Sequence, residues 1–206
     1  DPQGRVIVDK NSGFPSFDGS YTIKGVTNPP HILGANLELQ YKRFRFYTLF
    51  EYRGGNYIMN SVSTGYDFAG PGIRTTWFNR ERFDDELGQY VANTNIQTRE
   101  GGANFWTDGT RNTGVGENYT HSAAFWKWRE ASLSYDIPVQ QFLKGAVKRA
   151  SISVQGRNLF IWTPQTNLYT DPEYSVLGSD SNAIGFTSMA STPPARYVGG
   201  TLSLTF

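Results

Sequence analysis

Five stretches of this chain alternate apolar and polar residues with a period of two, and each predicts a β-strand with one greasy and one polar face. In the first, Ala35, Leu37, Leu39 and Tyr41 share one side, and Asn36, Glu38, Gln40 and Lys42 the other. In the second, Phe44, Phe46, Phe50 and Tyr52 oppose Arg45, Tyr47, Glu51 and Arg53. Little more than Lys42 and Arg43 separates these two, so they read as a tight hairpin. The third runs from about Phe125 to Ile137, with Ala131, Leu133, Tyr135 and Ile137 against Glu130, Ser132, Ser134 and Asp136. Upstream of Glu130 its pattern slips: Trp126 and Trp128 fall on the polar parity, and Lys127 and Arg129 on the apolar one. We read that slip as the strand leaving a hydrocarbon layer, where the in/out rule relaxes. Pro138 closes the strand because it cannot donate to a ladder. The fourth spans about Arg149 to Leu159 and sets Ala150, Ile152 and Val154 against Ser151, Ser153, Gln155 and Arg157. The fifth, Tyr197 to Phe206, sets Val198, Gly200, Leu202, Leu204 and Phe206 against Tyr197, Thr201, Ser203 and Thr205.

The connections alternate as well. Residues 42–44 and 138–148 are short, whereas 55–122 and 162–195 are long and rich in Gly, Asn, Thr and Ser. Short turns on one side and long loops on the other are the building plan of outer-membrane barrels. The expected fold is thus all-β: an antiparallel transmembrane β-barrel segment with long extracellular loops, its lipid face carrying Leu39, Phe46, Leu133 and Leu204. Inside the first long loop, Phe78, Phe83, Leu87 and Val91 recur at helical spacing and predict a helix near Thr76–Val91.

Composition changes this picture in two ways. The 206 residues carry a net charge of +1, and no run of five like charges occurs, which argues against a polyanion such as nucleic acid as partner. Mean hydropathy is −0.48, a value that averages away two alternating faces. No stretch approaches the roughly 18 apolar residues of a membrane helix, and Asp1-Pro2-Gln3-Gly4 does not open a signal peptide. Absence of Cys removes thiolate chemistry, disulfides and Cys-bound zinc together.

Several motifs resemble one known family. Phe125-Trp126-Lys127-Trp128-Arg129-Glu130-Ala131-Ser132-Leu133-Ser134-Tyr135-Asp136-Ile137-Pro138 is similar to the F-x-R-L-R-x-V-x-L-x-Y-x-L-P strand of SusC/RagA transporters, with Lys127 and Trp128 in place of the usual Arg and Leu. Gly156-Arg157-Asn158-Leu159-Phe160 resembles their G-x-N-L-F motif, and Asp171-Pro172-Glu173 their D-P-E. Asn28-Pro29-Pro30 before Leu33-Gly34-Ala35, Tyr41-Lys42-Arg43-Phe44, and the closing strand to Phe206 resemble the family in the same order.

That resemblance implies the last five strands of a barrel of about 22 strands, within the range known for such proteins. It implies TonB-driven import of a glycan, oligosaccharide or peptide, a SusD-like lipoprotein capping the barrel from outside, and a cell outer-membrane location with the C-terminus in the periplasm. TonB contact would go through a plug region outside this chain. Five strands do not close a barrel, since the smallest need about eight, so residues 1–206 are expected to be the C-terminal part of a barrel domain completed by further strands and surrounded by outer-membrane lipid.

Catalytic, cofactor and metal sites are not expected. His31 and His121 stand outside any nucleophile or metal motif, and Asp84-Asp85-Glu86 lacks the spaced loop of a calcium site. Asp171-Pro172-Glu173 and Asp180 read as turn formers rather than cation ligands. Trp77, Trp106, Tyr119, Trp162, Tyr169 and Tyr174 are the candidate loop contacts to substrate or lipoprotein, because aromatic rings offer large contact area with a polar handle. Loop packing or an interfacial girdle is the competing role for the same rings. Phe206, a terminal aromatic on an alternating strand, is the candidate barrel-assembly signal. Two other functions fit the pattern: a non-transporting SusC-like scaffold subunit of a larger outer-membrane complex, and a soluble β-sandwich carbohydrate-binding module that buries the same apolar faces.

Overall fold

A computed structural model describes residues 21–73, 81–84, 89–92, 112–139, 146–174, 185–190, 192 and 194–206, with the backbone alone for 81–84 and 89–92. Its main element is a five-stranded antiparallel sheet in the order β1-β2-β7-β8-β9, built from β1 (His31–Tyr41), β2 (Phe44–Gly54), β7 (Phe125–Ile137), β8 (Arg149–Trp162) and β9 (Tyr197–Thr205). All five strands stand where the alternation puts them. Between β2 and β7 lie β3 (Tyr57–Met59), α1 (Ser61–Ala69), β4 (Glu81–Asp84), β5 (Gln89–Ala92) and β6 (Thr120–Ser122), the last preceded by a short 3-10 turn at Gly116–Tyr119. β3 pairs with β6 and β4 with β5.

Register carries the alternation across the whole sheet. Leu39 faces Phe46, Phe46 faces Leu133, Leu133 faces Val154 and Val154 faces Gly200, so a single apolar row crosses five strands. Tyr41, Phe44, Tyr135, Ile152 and Leu202 make the next row toward the short turns. On the opposite face Gln40, Arg45, Ser134, Ser153 and Thr201 align in the same way. Away from Ala150 and Ile137 at the short-turn end, the apolar face is uncovered by any described residue: Leu39 is 53% exposed, Val154 56% and Leu204 48%. Burial sits instead among the loops, at Ile58, Val62, Tyr119, Ala123 and Phe125, and at the short-turn end, at Val139, Val147 and Ala150.

The slip in β7 has a different cause from the one expected. Register shifts between Leu49 and Phe50 on β2, which face Glu130 and Trp128 respectively, leaving Arg129 as an extra residue. This β-bulge inverts the parity of everything upstream. Trp128 faces Phe50 and Phe160, Trp126 faces Tyr52 and Trp162, and both tryptophans therefore join the apolar face. Lys127 faces Glu51 and joins the polar one. The strand keeps its two faces to the end, and the alternation is reset rather than relaxed.

A bulge takes a carbonyl out of the ladder, and an unpaired carbonyl on an apolar face is expensive. Here the Glu130 carbonyl accepts from the Thr48 hydroxyl at 3.2 Å and from the Trp128 indole nitrogen at 3.1 Å. The same indole also lies 2.7 Å from the Thr48 oxygen. Thr48 is thus a polar residue placed on the apolar face with its hydroxyl fully engaged. On β8 the matching irregularity falls at Asn158, whose φ of 52° is left-handed, a conformation Asn tolerates better than branched residues. Asn158 also donates to the Ala195 carbonyl at 3.2 Å. Two residues earlier, a Cβ at Gly156 would stand 2.6 Å from Leu159 Cδ2, so the leucine folds over the space that glycine leaves.

The helix expected near Thr76–Val91 is not what the described part of that stretch forms. Glu81–Asp84 and Gln89–Ala92 pair antiparallel, with Phe83 facing Tyr90, in keeping with the β-favouring residue types there. The helix lies earlier, at Ser61–Ala69. Its sequence, with Gly65 and two β-branched residues, is a weak helix former. Its ends are well defined: the Asn60 side chain accepts from Ser63 N at 3.0 Å, and Gly70, at φ 94°, caps the C-terminus with its N–H on the Tyr66 carbonyl.

Candidate functional site

Above the sheet, on its polar face, the bulge gathers six charged side chains. Glu51 and Arg53 come from β2, Lys127 and Arg129 from β7, and Asp171 and Glu173 from the loop after β8. Lys127 Nζ lies 2.6 Å from Asp171 Oδ2 and 2.5 Å from Glu173 Oε2. Arg129 donates to both Glu173 oxygens, at 2.7 and 2.6 Å, and through Nε to Glu51 at 2.9 Å. Arg53 pairs with Glu51 and reaches Glu173 at 3.2 Å. Beneath them lies the ring of Phe125, with Lys127 Nζ 5.1 Å from its centroid and the Arg129 and Arg53 guanidinium carbons at 5.9 and 6.0 Å. Tyr174 flanks Lys127 at 5.6 Å.

Three cations and three carboxylates make a neutral set, which is what allows Lys127 to be only 4% exposed. Burial alone would raise the Glu173 carboxyl, but hydrogen bonds from Arg129 and Lys127 outweigh it and hold the group at about 2. Asp171-Pro172-Glu173 is a turn, as its sequence suggests: the Asp171 carboxylate accepts from Glu173 N at 3.0 Å and its carbonyl from Tyr174 N at 3.0 Å. That turn aims both acidic side chains at the wall. The chemistry available here is charge pairing, which fastens the last long loop to β2 and β7.

A second hub fixes the loops to one another. Asn60 is fully buried; its N–H donates to the Tyr119 carbonyl at 2.8 Å, its side-chain amide to the Leu168 carbonyl at 2.6 Å, and its side-chain oxygen accepts from Ser63 N and from the Thr187 hydroxyl at 3.3 Å. Segments near residues 60, 119, 168 and 187 thereby meet at one residue. Around it an apolar surface faces outward: Phe68, Ile73, Tyr169 and Met189 are exposed, and Tyr66 packs edge-on against Tyr169 with centroids 4.9 Å apart. The Tyr169 hydroxyl accepts from Ile73 N at 2.6 Å.

The aromatic candidates scatter over these features. Tyr169 and Tyr174 are exposed, the first on the apolar loop surface and the second beside the charge network. Tyr119 is wholly buried, with Asn112 donating to its hydroxyl at 3.3 Å, so its ring packs among the loops. Trp162 lies at the end of β8 on the apolar sheet face, opposite Trp126 and stacked on Phe160 with centroids 6.0 Å apart. Trp77, Trp106, Asp85, Glu86 and Asp180 lie outside the described residues. Phe206 is exposed just past the end of β9, its main-chain oxygen accepting from Lys148 Nζ at 3.0 Å. Among the described residues no three His, Asp or Glu converge as metal ligands, and no helix is long and apolar enough to cross a membrane. Sequence reading passed over Glu51, Arg53, Lys127, Arg129 and Asn60; the one available signal was a pair of cations on the wrong parity of β7.

No family model matches the sequence, and no curated protein matches it. Solved structures do match. They include the RagAB peptide importer in its 'closed-closed' state (TM-score 0.58, 18% identity, 98% of this chain and 20% of that chain) and its 'open-open' state (0.58, 17%, 98% and 20%). The structure of the RagAB peptide transporter matches similarly (0.59, 19%, 97% and 21%). The chain spans about a fifth of the length of the solved chains it matches. At this identity the likeness is one of fold, and this chain is an antiparallel all-β unit folded like one part of the RagAB chains.

Proposed function

We propose that this chain is the C-terminal wall of an outer-membrane β-barrel transporter of the SusC/RagA type, importing a peptide or glycan. The observation that carries the reading is the five-strand register, which sets rows of exposed apolar side chains on one face and polar rows on the other. Rings at the loop end of the apolar face, Trp126, Trp128, Phe160 and Trp162, suit a membrane interface. A soluble sandwich would cover this face along its length, and the described residues cover it only at the short-turn end, around Ala150. In the barrel, β1 and β9 pair with further strands, because open edges in lipid leave backbone groups unsatisfied.

In this reading the polar face lines the lumen, the long loops face outside and Phe206 lies at the periplasmic end as an assembly signal. The Asn60 hub presents the Tyr66/Tyr169 surface, together with Tyr174, to a SusD-like lipoprotein or to substrate. Energy comes from TonB acting on a plug carried elsewhere in the protein. The scaffold alternative shares the wall and differs only in lacking transport.

This chain contains no Cys, so once any cysteines elsewhere in the full-length protein are replaced, single cysteines placed in it can be labelled cleanly. Spin labels at Leu39 and Val154 of the full-length protein in vesicles should be relaxed by oxygen and shielded from a nickel chelate, and a label at Gln155 should show the reverse. Equal access to the chelate at all three sites would refute a lipid-facing wall. Loss of peptide or oligosaccharide uptake in a deletion strain separates transport from scaffold.

A further inference from the structure

Charge on the sheet is distributed unequally between its two ends. At the loop end Glu51, Arg53, Lys127, Arg129, Asp171 and Glu173 cancel within one network. At the short-turn end the described charged residues are Lys42, Arg43, Arg45, Lys148 and Arg149 against Asp136. Asp136 is taken by Arg45, at 3.1 Å. Lys-Arg therefore stands twice at this rim, once as the β1–β2 turn and once at the start of β8, and among the described residues no carboxylate side chain pairs with either.

The position of these pairs is layered. The last apolar row before the rim is Tyr41, Phe44, Tyr135, Ile152 and Leu202, with Phe44 and Tyr135 rings 4.6 Å apart. Lys42 follows at once, its left-handed φ of 54° turning the chain and its ammonium lying 5.2 Å from the Tyr41 centroid, on the apolar side. Lys148 is exposed just before β8, its ammonium donating to the Phe206 main-chain oxygen at 3.0 Å. Apolar row, aromatic ring, then ammonium is the order a leaflet presents as acyl chain, carbonyl region and phosphate.

Resting on the barrel reading above, we propose that the two Lys-Arg steps of this rim form a docking surface for the phosphodiester headgroups of anionic phospholipid. Lys42 meets a phosphate through its ammonium, Lys148 through the N–H groups that its bond to the Phe206 oxygen leaves over, and each neighbouring arginine adds a second, fork-shaped donor. Arg45, paired with Asp136 on the polar face, lies outside the surface.

The test is native mass spectrometry of the full-length protein in detergent, offered equal amounts of phosphatidylglycerol and phosphatidylcholine. The wild type should retain phosphatidylglycerol in preference. Lys42→Gln/Arg43→Gln and Lys148→Gln/Arg149→Gln should each lower that preference, by up to about fivefold per cation removed, and Arg45→Gln should leave it unchanged. Equal retention of the two lipids by wild type overturns the inference while leaving a detergent-dependent barrel standing, as does a preference that both double variants keep. A protein that is monomeric in plain buffer and retains neither lipid overturns the barrel reading as well.

Discussion

Thr48 and Trp128 meet across the β2–β7 seam, the indole nitrogen 2.7 Å from the threonine oxygen, and both groups also lie within hydrogen-bond reach of the Glu130 carbonyl. The contact supplies side-chain donors to the Glu130 carbonyl, next to the bulge at Arg129. Thr48→Val keeps the shape and removes the hydroxyl, so it should lower unfolding free energy by about 1–3 kcal/mol, read from denaturant titration in detergent. Thr48→Ser should retain most of the stability. Equal stability of the valine and serine variants would show that the hydroxyl is not needed.

The charge network gives a pH prediction. Glu173 is held at about 2 in the folded protein, below its ordinary 4.5. A depressed carboxyl stabilises most above its unfolded pKa and loses that contribution as pH falls through the folded value. Docking of residues 171–174 on the wall should be complete above about pH 4.5 and should weaken from there toward pH 2. Hydrogen exchange of these amides against pH reads it, and Glu173→Gln should flatten the profile.

Lys127 is the most costly member to leave alone. Its ion-pair partners, Asp171 and Glu173, both sit on the loop. Asp171→Asn with Glu173→Gln leaves a buried ammonium without a counter-charge, which costs about 3–5 kcal/mol. Adding Lys127→Met to that pair should recover a large part of the loss in thermal unfolding. A triple variant no more stable than the double would contradict this account.

Asn158 needs its left-handed backbone. Asn158→Gly should change stability by less than about 1 kcal/mol, whereas Asn158→Val, branched at Cβ, should lose about 2 kcal/mol. The measurement is the unfolding midpoint of each variant. Equal midpoints would mean that the bend in β8 is set elsewhere.

Asn60→Ala removes a helix cap, leaves the Thr187 hydroxyl without this partner and leaves the Leu168 carbonyl only the long bond from the Ser63 hydroxyl at 3.5 Å. Cap loss costs about 1 kcal/mol, and each orphaned buried group about as much again. Limited proteolysis should cut the loops near residues 60 and 168 faster, with the sheet unaffected.

The strands were legible because a period of two is a local signal that a two-faced sheet imposes on every residue. Phe125 to Ile137 and the start of β8 at Arg149 match the structure to the residue. The bulge was visible only as a defect in that signal, since parity records a phase change without saying what changes it. α1 was not legible, because Ser61–Ala69 has poor helix propensity and is shaped by Asn60 and by distant loop segments. The charge network escaped for the same reason: Glu173 lies 44 residues from Arg129, and Glu51 lies 78 from it. A motif such as Asp171-Pro172-Glu173 announces a turn but not what the turn is aimed at.

Arg129 works like an inserted letter that shifts a reading frame. Every residue of β7 before it is spelled in one frame and every residue after it in the other, and the two halves make sense only because the insertion lies between them. Pressing it flat, so that Arg129 held an ordinary place in the ladder, would leave each neighbour chemically intact and yet exchange the two faces, turning two indoles toward the ionic cluster and an ammonium toward the apolar side. One backbone irregularity thus decides the sidedness of a third of the strand.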